Sequence, residues 1–215
     1  SHAITVSGSD AKDSSVVTAL SALGATVATS HNAANVDGAD LVVYSNAIAA
    51  NNPERLRAAE LHTPTLTRAA ALSVLMSESK SVAVAGTHGK TTTSSMLAVA
   101  LQACGADPSF AIGGTITASG SNAHRGTGEI FVAEADESDG SFIEYNPFAA
   151  IVTNVEHDHV DFFATAESVA QAFRDFAATI KPGGFLTYCA DDQGAVALAN
   201  SFSGTELVSY GVSEN

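Results

Sequence analysis

Val82-Ala83-Val84-Ala85 runs without a break into Gly86-Thr87-His88-Gly89-Lys90-Thr91-Thr92-Thr93, and a helical pattern follows. A strand that ends in a glycine loop and continues as a helix is the start of a crossover. The segment therefore commits the chain to a parallel sheet with helices packed on it. It also has the chemistry of a phosphate cradle. Glycines let backbone N–H groups approach phosphate oxygens, and the helix N-terminus adds the positive end of its dipole. Lys90 is spaced to reach the outer phosphates, and Thr91 offers a hydroxyl to Mg2+. The spacing is the short Gly-x-x-Gly-Lys-Thr; the longer form needs glycine at position 84, where valine stands. The competing reading is a strand-to-helix turn with a surface lysine. The strand before and the helix after favour the cradle.

The rest of the chain keeps the alternation. Residues 4–6, 26–28 and 41–44 read as strands. Residues 13–23 read as a helix with Val16, Leu20 and Leu23 on one side and Gly24 closing it. Residues 53–61, with proline in the first turn, and 68–76 read as further helices. The pattern restarts after Ser77-Glu78-Ser79-Lys80, and a domain boundary is expected near residue 80. Residues 91–104 read as a helix with Leu97, Ala100, Leu101 and Cys104 on one face. Residues 130–133 and 149–153 are almost wholly apolar, as expected of strands buried on both faces. Thr165 is placed to cap a helix carrying Val169, Ala172, Phe173, Phe176 and Ile180. Residues 185–189, 193–199 and 207–210 add a strand, a helix and a strand. The fold class is α/β with a mostly parallel central sheet.

Ligands of such sheets collect where the strands end. Glu134-Ala135-Asp136-Glu137-Ser138-Asp139 leaves one predicted strand with four carboxylates, which repel one another unless a cation or solvent intervenes. Mg2+ takes a few carboxylates and completes its octahedron with water and phosphate oxygens. The alternative is a solvated acidic loop. Thr153-Asn154-Val155-Glu156-His157-Asp158-His159-Val160-Asp161 leaves a second strand and reads either as metal or phosphate ligands or as a wet polar loop. With the glycine loop, these segments make the layout of a Mg2+–nucleotide site. Asp10, after the opening strand, is either an acid placed to meet a ribose or the N-cap of the next helix. Acidic residues number 23 against 9 basic ones, a net charge of −14, and the scattered Lys and Arg form no stripe that would suit nucleic acid. No apolar run approaches the roughly 20 residues of a membrane helix. Cys104 and Cys189 lack a CxxC partner and read as small buried residues of a reduced cytosolic protein.

The glycine loop resembles the ATP loop of the Mur ligases, which has this shortened form. Glu134 to Asp139 with Ser141-Phe142, Ser7-Gly8-Ser9-Asp10, Ser45-Asn46-Ala47-Ile48, Ile112-Gly113-Gly114, and Ile151-Val152-Thr153-Asn154 leading to Asp158-His159 are similar to segments of that family in the same order. The resemblance implies a three-domain protein of which this chain holds two parts. Residues 1–80 would be an incomplete Rossmann-like UDP-sugar-binding domain. Residues 81–215 would be a P-loop-type ATPase domain without its C-terminal part, and the domain that brings the amino acid would be absent.

The resemblance further implies a cytoplasmic bacterial enzyme of peptidoglycan precursor synthesis. ATP would phosphorylate the carboxylate of UDP-N-acetylmuramate, and the amine of L-alanine would attack the acyl phosphate. The alternatives are the recycling reaction that attaches a preformed tripeptide to the same nucleotide sugar, and a catalytically incomplete nucleotide-binding fragment. The shortened loop counts against a kinase or a simple P-loop ATPase. By the same resemblance Gly86, Thr87, His88, Gly89, Lys90, Thr91 and Thr92 would hold ATP. Lys90, Glu137 and His159 would be catalytic, with Thr91, Glu137 and His159 around Mg2+ and Glu134 and Asp136 as further metal candidates. Asp10, Ser45, Asn46, Arg68, His88, Asn122, His124 and Arg125 would meet UDP-N-acetylmuramate.

Overall fold

Residues 4–117, 119–158, 162–203 and 205–212 are described by the computed structural model, which divides into two units, Ser1–Arg68 and Ala69–Asn215. The first unit is two parallel crossovers. Strand β1 (Ser7–Ser9) pairs with β2 (Thr26–Ala28) across helix α1 (Ser15–Ala22), and β3 (Val42–Tyr44) pairs with β4 (Thr65–Thr67) across α2 (Pro53–Glu60). Asn52 starts α2 by accepting from the N–H groups of Glu54 and Arg55, and Pro53 follows where its missing N–H costs nothing.

Two expectations are corrected here. The opening strand is Ser7–Ser9 rather than residues 4–6, because β2 offers only three partners and the register begins at Ser7 opposite Thr26. Helix α1 buries Val17 and leaves Val16, Leu20 and Leu23 exposed, since a pair of three-residue strands cannot cover a helix face. Its N-cap is Ser14, so Asp10 does not cap it.

In the second unit α3 (Arg68–Met76) leads into β5 (Lys80–Ala85) and α4 (Lys90–Ala103). A hairpin of β6 (Ser109–Ile116) and β7 (Ser121–His124) comes next, then β8 (Ile130–Glu134), β9 (Ala149–Val152), α5 (Ala166–Ala178), β10 (Phe185–Cys189), α6 (Gln193–Asn200) and β11 (Glu206–Tyr210). The sheet order is β11-β10-β9-β5-β8-β6-β7, and only the β6–β7 pair is antiparallel. The chain leaves β5 toward β6 and β8, then crosses to the other side for β9. Strand β5 therefore lies where the strand order reverses, with β8 and β9 ending beside it.

Alternation along β8 sends Val132 to one face and Phe131 and Ala133 to the other. The first face is closed by α4, whose Ala98 joins Phe110, Ile112, Ile116 and Val132. The other face carries Ala83, Ala85, Ala133 and Ala150, small enough for helices to pack close against the strands. There Phe142 stacks on Phe176 with centroids 4.9 Å apart and meets the edge of Phe173 at 5.4 Å. Thr165 caps α5 through a reciprocal box with Ser168, and Val169, Phe173 and Phe176 are buried as the pattern predicts, joined by Ala177, whereas Ala172 is half-buried and Ile180 is buried just past the helix end.

Helix α3 buries Ala69 and Met76 in this same core, so the compact units divide at Arg68, ahead of the point near residue 80 where the sequence pattern restarts. On α4 the buried positions are Ser94 and Ala98, with Leu97 and Leu101 packed beside them; Ala100 lies exposed. Cys104, the C-cap of α4, is exposed and Cys189 is half-buried, which corrects the expectation of two buried thiols. Among the described residues no helix is long and apolar enough to cross a membrane.

Truncating Phe142, which is fully buried, removes the ring that joins two others and leaves a cavity in a close-packed core. Phe142→Ala is expected to lower unfolding free energy by about 3–5 kcal/mol in urea titration. Ile143→Ala, at a side chain 42% exposed, is expected to cost less than half as much.

Candidate functional site

The site is built where β5, β8 and β9 end together. Gly86 follows β5 with φ +138°, and a Cβ placed on it would lie 1.9 Å from Thr153 Oγ1. Only glycine permits both this backbone and this contact. The loop 86–89 is then stitched to the segment after β9. Thr153 N–H donates to Ala85 O (3.0 Å), Thr87 N–H to Asn154 O (3.2 Å), and Thr153 Oγ1 to His88 O (2.6 Å). The Asn154 amide accepts from His88 N–H at 2.8 Å and donates to His88 O at 3.0 Å. Thr87 Oγ1 accepts from Glu156 N–H (2.9 Å) and donates to Glu156 O (3.2 Å). Gly89, with φ +81°, begins α4 without a side-chain cap, so the first-turn N–H groups are left for an external acceptor.

Lys90 lies in this first turn. Its Nζ is 2.8 Å from Glu137 Oε2 and 3.1 Å from Oε1, and it donates to Gly86 O (2.8 Å) and Thr87 O (3.3 Å). Both side chains are largely out of solvent, 12% exposed for Lys90 and 1% for Glu137. Next to it Thr91 Oγ1 donates to Glu134 Oε1 at 2.8 Å, while Glu134 Oε2 accepts from Gly113 N–H at 2.7 Å. The Gly113-Gly114 pair makes room for this. A Cβ at Gly113 would come within 2.9 Å of Glu134, and one at Gly114 within 2.7 Å of Thr91.

The acidic segment is thus not a wet loop. Glu137 is buried, and Asp136 and Asp139 accept from Ser138 and Ser141 N–H inside their own turns. His88 is exposed, its ring 4.0 Å from Glu156. Thr92 is also exposed. His159 lies outside the described residues, as do Val160 and Asp161.

Among the described residues, no three His, Cys, Asp or Glu side chains are gathered to hold a metal. The donors present are the Thr91 hydroxyl and the Glu134 and Glu137 carboxylates beside a lysine. That set fits a cation that arrives with nucleotide phosphates and keeps several waters, rather than an all-protein cage.

In the first unit a cavity of about 400 Å3 is lined by Asp10, His31, Asn35, Tyr44, Ser45 and Glu54 among others. Asp10 and Ser45 are brought together there. Asp10 accepts from Lys12 N–H, and Ser45 Oγ from Ala47 N–H. Arg55 stacks 4.1 Å over the Tyr44 ring and donates to Ile48 O, which pins the loop that carries Ser45 and Asn46. Arg68 is exposed at the start of α3.

Sequence reasoning missed the hub of this cavity. Glu54 accepts from Ser9 Oγ (2.8 Å), Asn35 Nδ2 (2.7 Å) and Asn32 N–H (3.3 Å), and lies 3.2 Å from His31 Nδ1. Burial alone would raise its carboxyl, but the hydrogen bonds from Asn35, Ser9, Asn32 and His31 together hold it below its usual value. In the sequence Glu54 reads only as a helix-start acid.

Asn122, His124 and Arg125 are exposed on or just after β7. His124 pairs with Phe110, near the start of β6, whereas Glu134 reaches Gly113 further along the same strand. His124 and Arg125 therefore stand toward the end of the sheet away from Lys90. His124 Nε2 is 3.0 Å from Asp107 Oδ1, and Thr127 donates to Asp107 Oδ2 through both its N–H and its hydroxyl, each at 2.8 Å. The Thr127 N–H, His124 and the Thr127 hydroxyl hold the Asp107 carboxyl down at about 2.

The family model described as Mur ligase middle domain matches residues 84–215, and the one described as Mur ligase family, catalytic domain, matches residues 2–80. The UDP-N-acetylmuramate–L-alanine ligase of Nocardioides sp. is 56% identical over 196 residues, which cover 91% of this chain and 44% of the relative. That of Renibacterium salmoninarum is 55% identical over 210 residues, 97% of this chain and 45% of the relative. The chain thus spans less than half the length of these relatives. Two solved structures are similar in fold. The UDP-N-acetylmuramate:L-alanyl-gamma-D-glutamyl-meso-diaminopimelate ligase of Neisseria meningitides has a TM-score of 0.86 at 31% identity, over 95% of this chain and 69% of that one. The UDP-N-acetylmuramate-alanine ligase of Thermotoga maritima has a TM-score of 0.82 at 30% identity, over 97% of this chain and 47% of that one.

Two outcomes are expected from this geometry. Gly86→Ala meets both a left-handed φ and the Thr153 contact. It should lose about 1–3 kcal/mol of stability from the backbone alone, measured by thermal unfolding. Asp107 has a folded pKa below its unfolded value of 3.8, so its contribution is complete above that value and is lost as pH falls toward about 2. Asp107→Asn should remove this part of the acid-unfolding curve, followed by circular dichroism.

Proposed function

The chain belongs to the Mur ligase family, and we propose that it is the part of a UDP-N-acetylmuramate–L-alanine ligase that holds ATP and the nucleotide sugar. The observation that carries the ATP assignment is the meeting of the glycine loop with both acidic segments at one sheet edge, centred on the Lys90–Glu137 pair. The choice of amino acid rests on relatives of that name at 55–56% identity. The tripeptide alternative rests on a structural likeness at 31% identity.

In the proposed reaction a carboxylate oxygen of UDP-N-acetylmuramate bonds to the γ-phosphorus of ATP, and the bond from that phosphorus to the bridging oxygen of ADP breaks. The L-alanine nitrogen then bonds to the acyl carbon, phosphate leaves with its oxygen, and the nitrogen loses a proton. An anionic nucleophile approaching an anionic phosphate needs its charge neutralised, and positioning supplies most of the rest. Lys90 is proposed to do this together with the N–H groups of residues 89–92. The ammonium has three donors, and in this structure they serve Gly86, Thr87 and Glu137. To engage a phosphate oxygen it must release at least one, and the longest contact is the 3.3 Å bond to Thr87. Mg2+, which further neutralises phosphate charge, would be held by Thr91 and Glu137, with His159 as the remaining proposed ligand. Glu134 orients the Thr91 hydroxyl, and Asp136 is turned into its own loop.

Residues 1–80 are proposed to bind the UDP-sugar and residues 81–215 the ATP. Asp10 and Ser45 in the first-unit cavity, with Asn46, Arg68 and His88, are proposed for UDP-N-acetylmuramate. The same role for Asn122, His124 and Arg125 has the least support, given their place along β7. The substrates put the reaction in the bacterial cytoplasm.

The present chain is expected to bind Mg·ATP without forming an amide. Lys90→Ala should weaken that binding about 10- to 100-fold in calorimetric titration, the worth of a charged hydrogen bond. Equal binding by the variant would overturn the assignment of the loop. For the full-length protein, phosphate release from ATP and UDP-N-acetylmuramate should depend on L-alanine; dependence on the tripeptide instead would select the recycling reaction.

A further inference from the structure

We propose that Asn154 is a positioning residue of the phosphate loop, its side-chain amide holding both backbone polar groups of His88. This rests on the reading of residues 86–92 as the nucleotide loop. The Asn154 Oδ1 accepts from His88 N–H at 2.8 Å and Nδ2 donates to His88 O at 3.0 Å, a closed pair of hydrogen bonds. An amide carries the same donor and acceptor as a peptide unit, so Asn154 does for residue 88 what a neighbouring strand does for a strand residue. A strand cannot do it here, because β5 has ended at Ala85 and the chain is turning into α4. Thr153 Oγ1 adds a second donor to His88 O, and the Asn154 carbonyl takes Thr87 N–H.

The result is a division of labour along the loop. The N–H groups of Thr87 and His88 are consumed by residue 154. Those of residues 89–92 donate to nothing among the described residues, and they are the first-turn groups that an anion uses. Asn154 thereby keeps the loop in one shape before a ligand arrives, which spares the ligand the entropy of ordering it. The bonds to His88 are solvent-exposed, so water replaces them when the amide is removed. What is lost is the loop's single conformation, not a buried polar partner. Nucleotide affinity should fall while stability holds.

Aspartate has the shape of asparagine but, when ionised, only acceptors, and it would face the His88 carbonyl with negative charge. Once protonated, its hydroxyl donates as the amide does. In the present chain, Asn154→Ala is expected to weaken Mg·ATP binding about tenfold. Asn154→Asp should weaken it at least as much at pH 7.5, with recovery toward the wild-type value as pH falls through the carboxyl range near about 4. The His88–Glu156 and Lys90–Glu137 pairs are the same in both proteins, so the readout is the ratio of variant to wild-type affinity at each pH. Both variants should melt within a few degrees of wild type. Amide exchange at residues 87–89, measured without nucleotide, should quicken in Asn154→Ala.

Unchanged affinity and unchanged exchange in Asn154→Ala overturn the proposal. So does a lowered melting temperature with an Asn154→Asp affinity ratio that ignores pH, which marks a merely structural residue. If the wild-type chain binds no Mg·ATP, the nucleotide reading falls by itself, and the exchange at residues 87–89 still decides whether Asn154 orders the loop.

Discussion

Between the end of β5 and the segment after β9 there is no room for a side chain. A methyl group on Gly86 would sit inside the Thr153 hydroxyl. That approach lets residues 153–156 run alongside residues 86–89 and exchange hydrogen bonds with Thr87 and His88. It also aims the first turn of α4 along the edge where β8 ends, which brings Lys90 onto Glu137 and Thr91 onto Glu134. The glycine pair 113–114 repeats the device on the other side of β8. The site is therefore held by close backbone contacts between neighbouring strands, and its charged groups are carried on that frame.

The central charges are paired and largely out of solvent. A lysine and a glutamate almost out of solvent attract strongly, and removing either alone leaves the other without its counter-ion. A ligand that brings negative charge to Lys90 and a cation to Glu137 exchanges one pairing for two without ever exposing a lone buried charge. Glu134 does a different task, spanning Thr91 and Gly113, and so couples the start of α4 to β6. In the first unit Glu54 plays the part of a hub, gathering Ser9, His31, Asn32 and Asn35 at one wall of a cavity.

The elements built on long apolar runs were legible in the sequence. Strands β5, β8, β9 and β10 and helices α3, α5 and α6 appear where the pattern puts them, because burial on one or both faces leaves a period that a reader can see. The β6–β7 hairpin was not read as strand. Glycines 113 and 114 interrupt β6 after only Phe110 and Ile112 have shown its alternation, and β7 is a short edge strand with no buried residue, so neither stands out as a strand in the sequence. Strand β4, three residues with threonine at each end, is too short to show one. The α1 stripe was visible yet misleading, since a helix face is buried only if a partner is wide enough to cover it.

For the site, spacing alone named the glycine loop, Lys90, Thr91 and the two acidic segments, because a phosphate loop is a local object whose residues are contiguous. What spacing could not say is which acid meets which partner. Glu137, rather than Asp136 or Asp139, takes the lysine because Asp136 and Asp139 spend an oxygen on their own turns and Glu137 alone points inward. Nor could it find the partners of Asn154 or Glu54, which lie 66 and 19 to 45 residues away in the chain. The sequence by itself determined a parallel α/β sheet with a glycine loop between strand and helix, since hydrophobic period and glycine position are properties of a segment. The tertiary structure decided the pairings, since a hydrogen bond between loops exists only once the strand order has put those loops side by side.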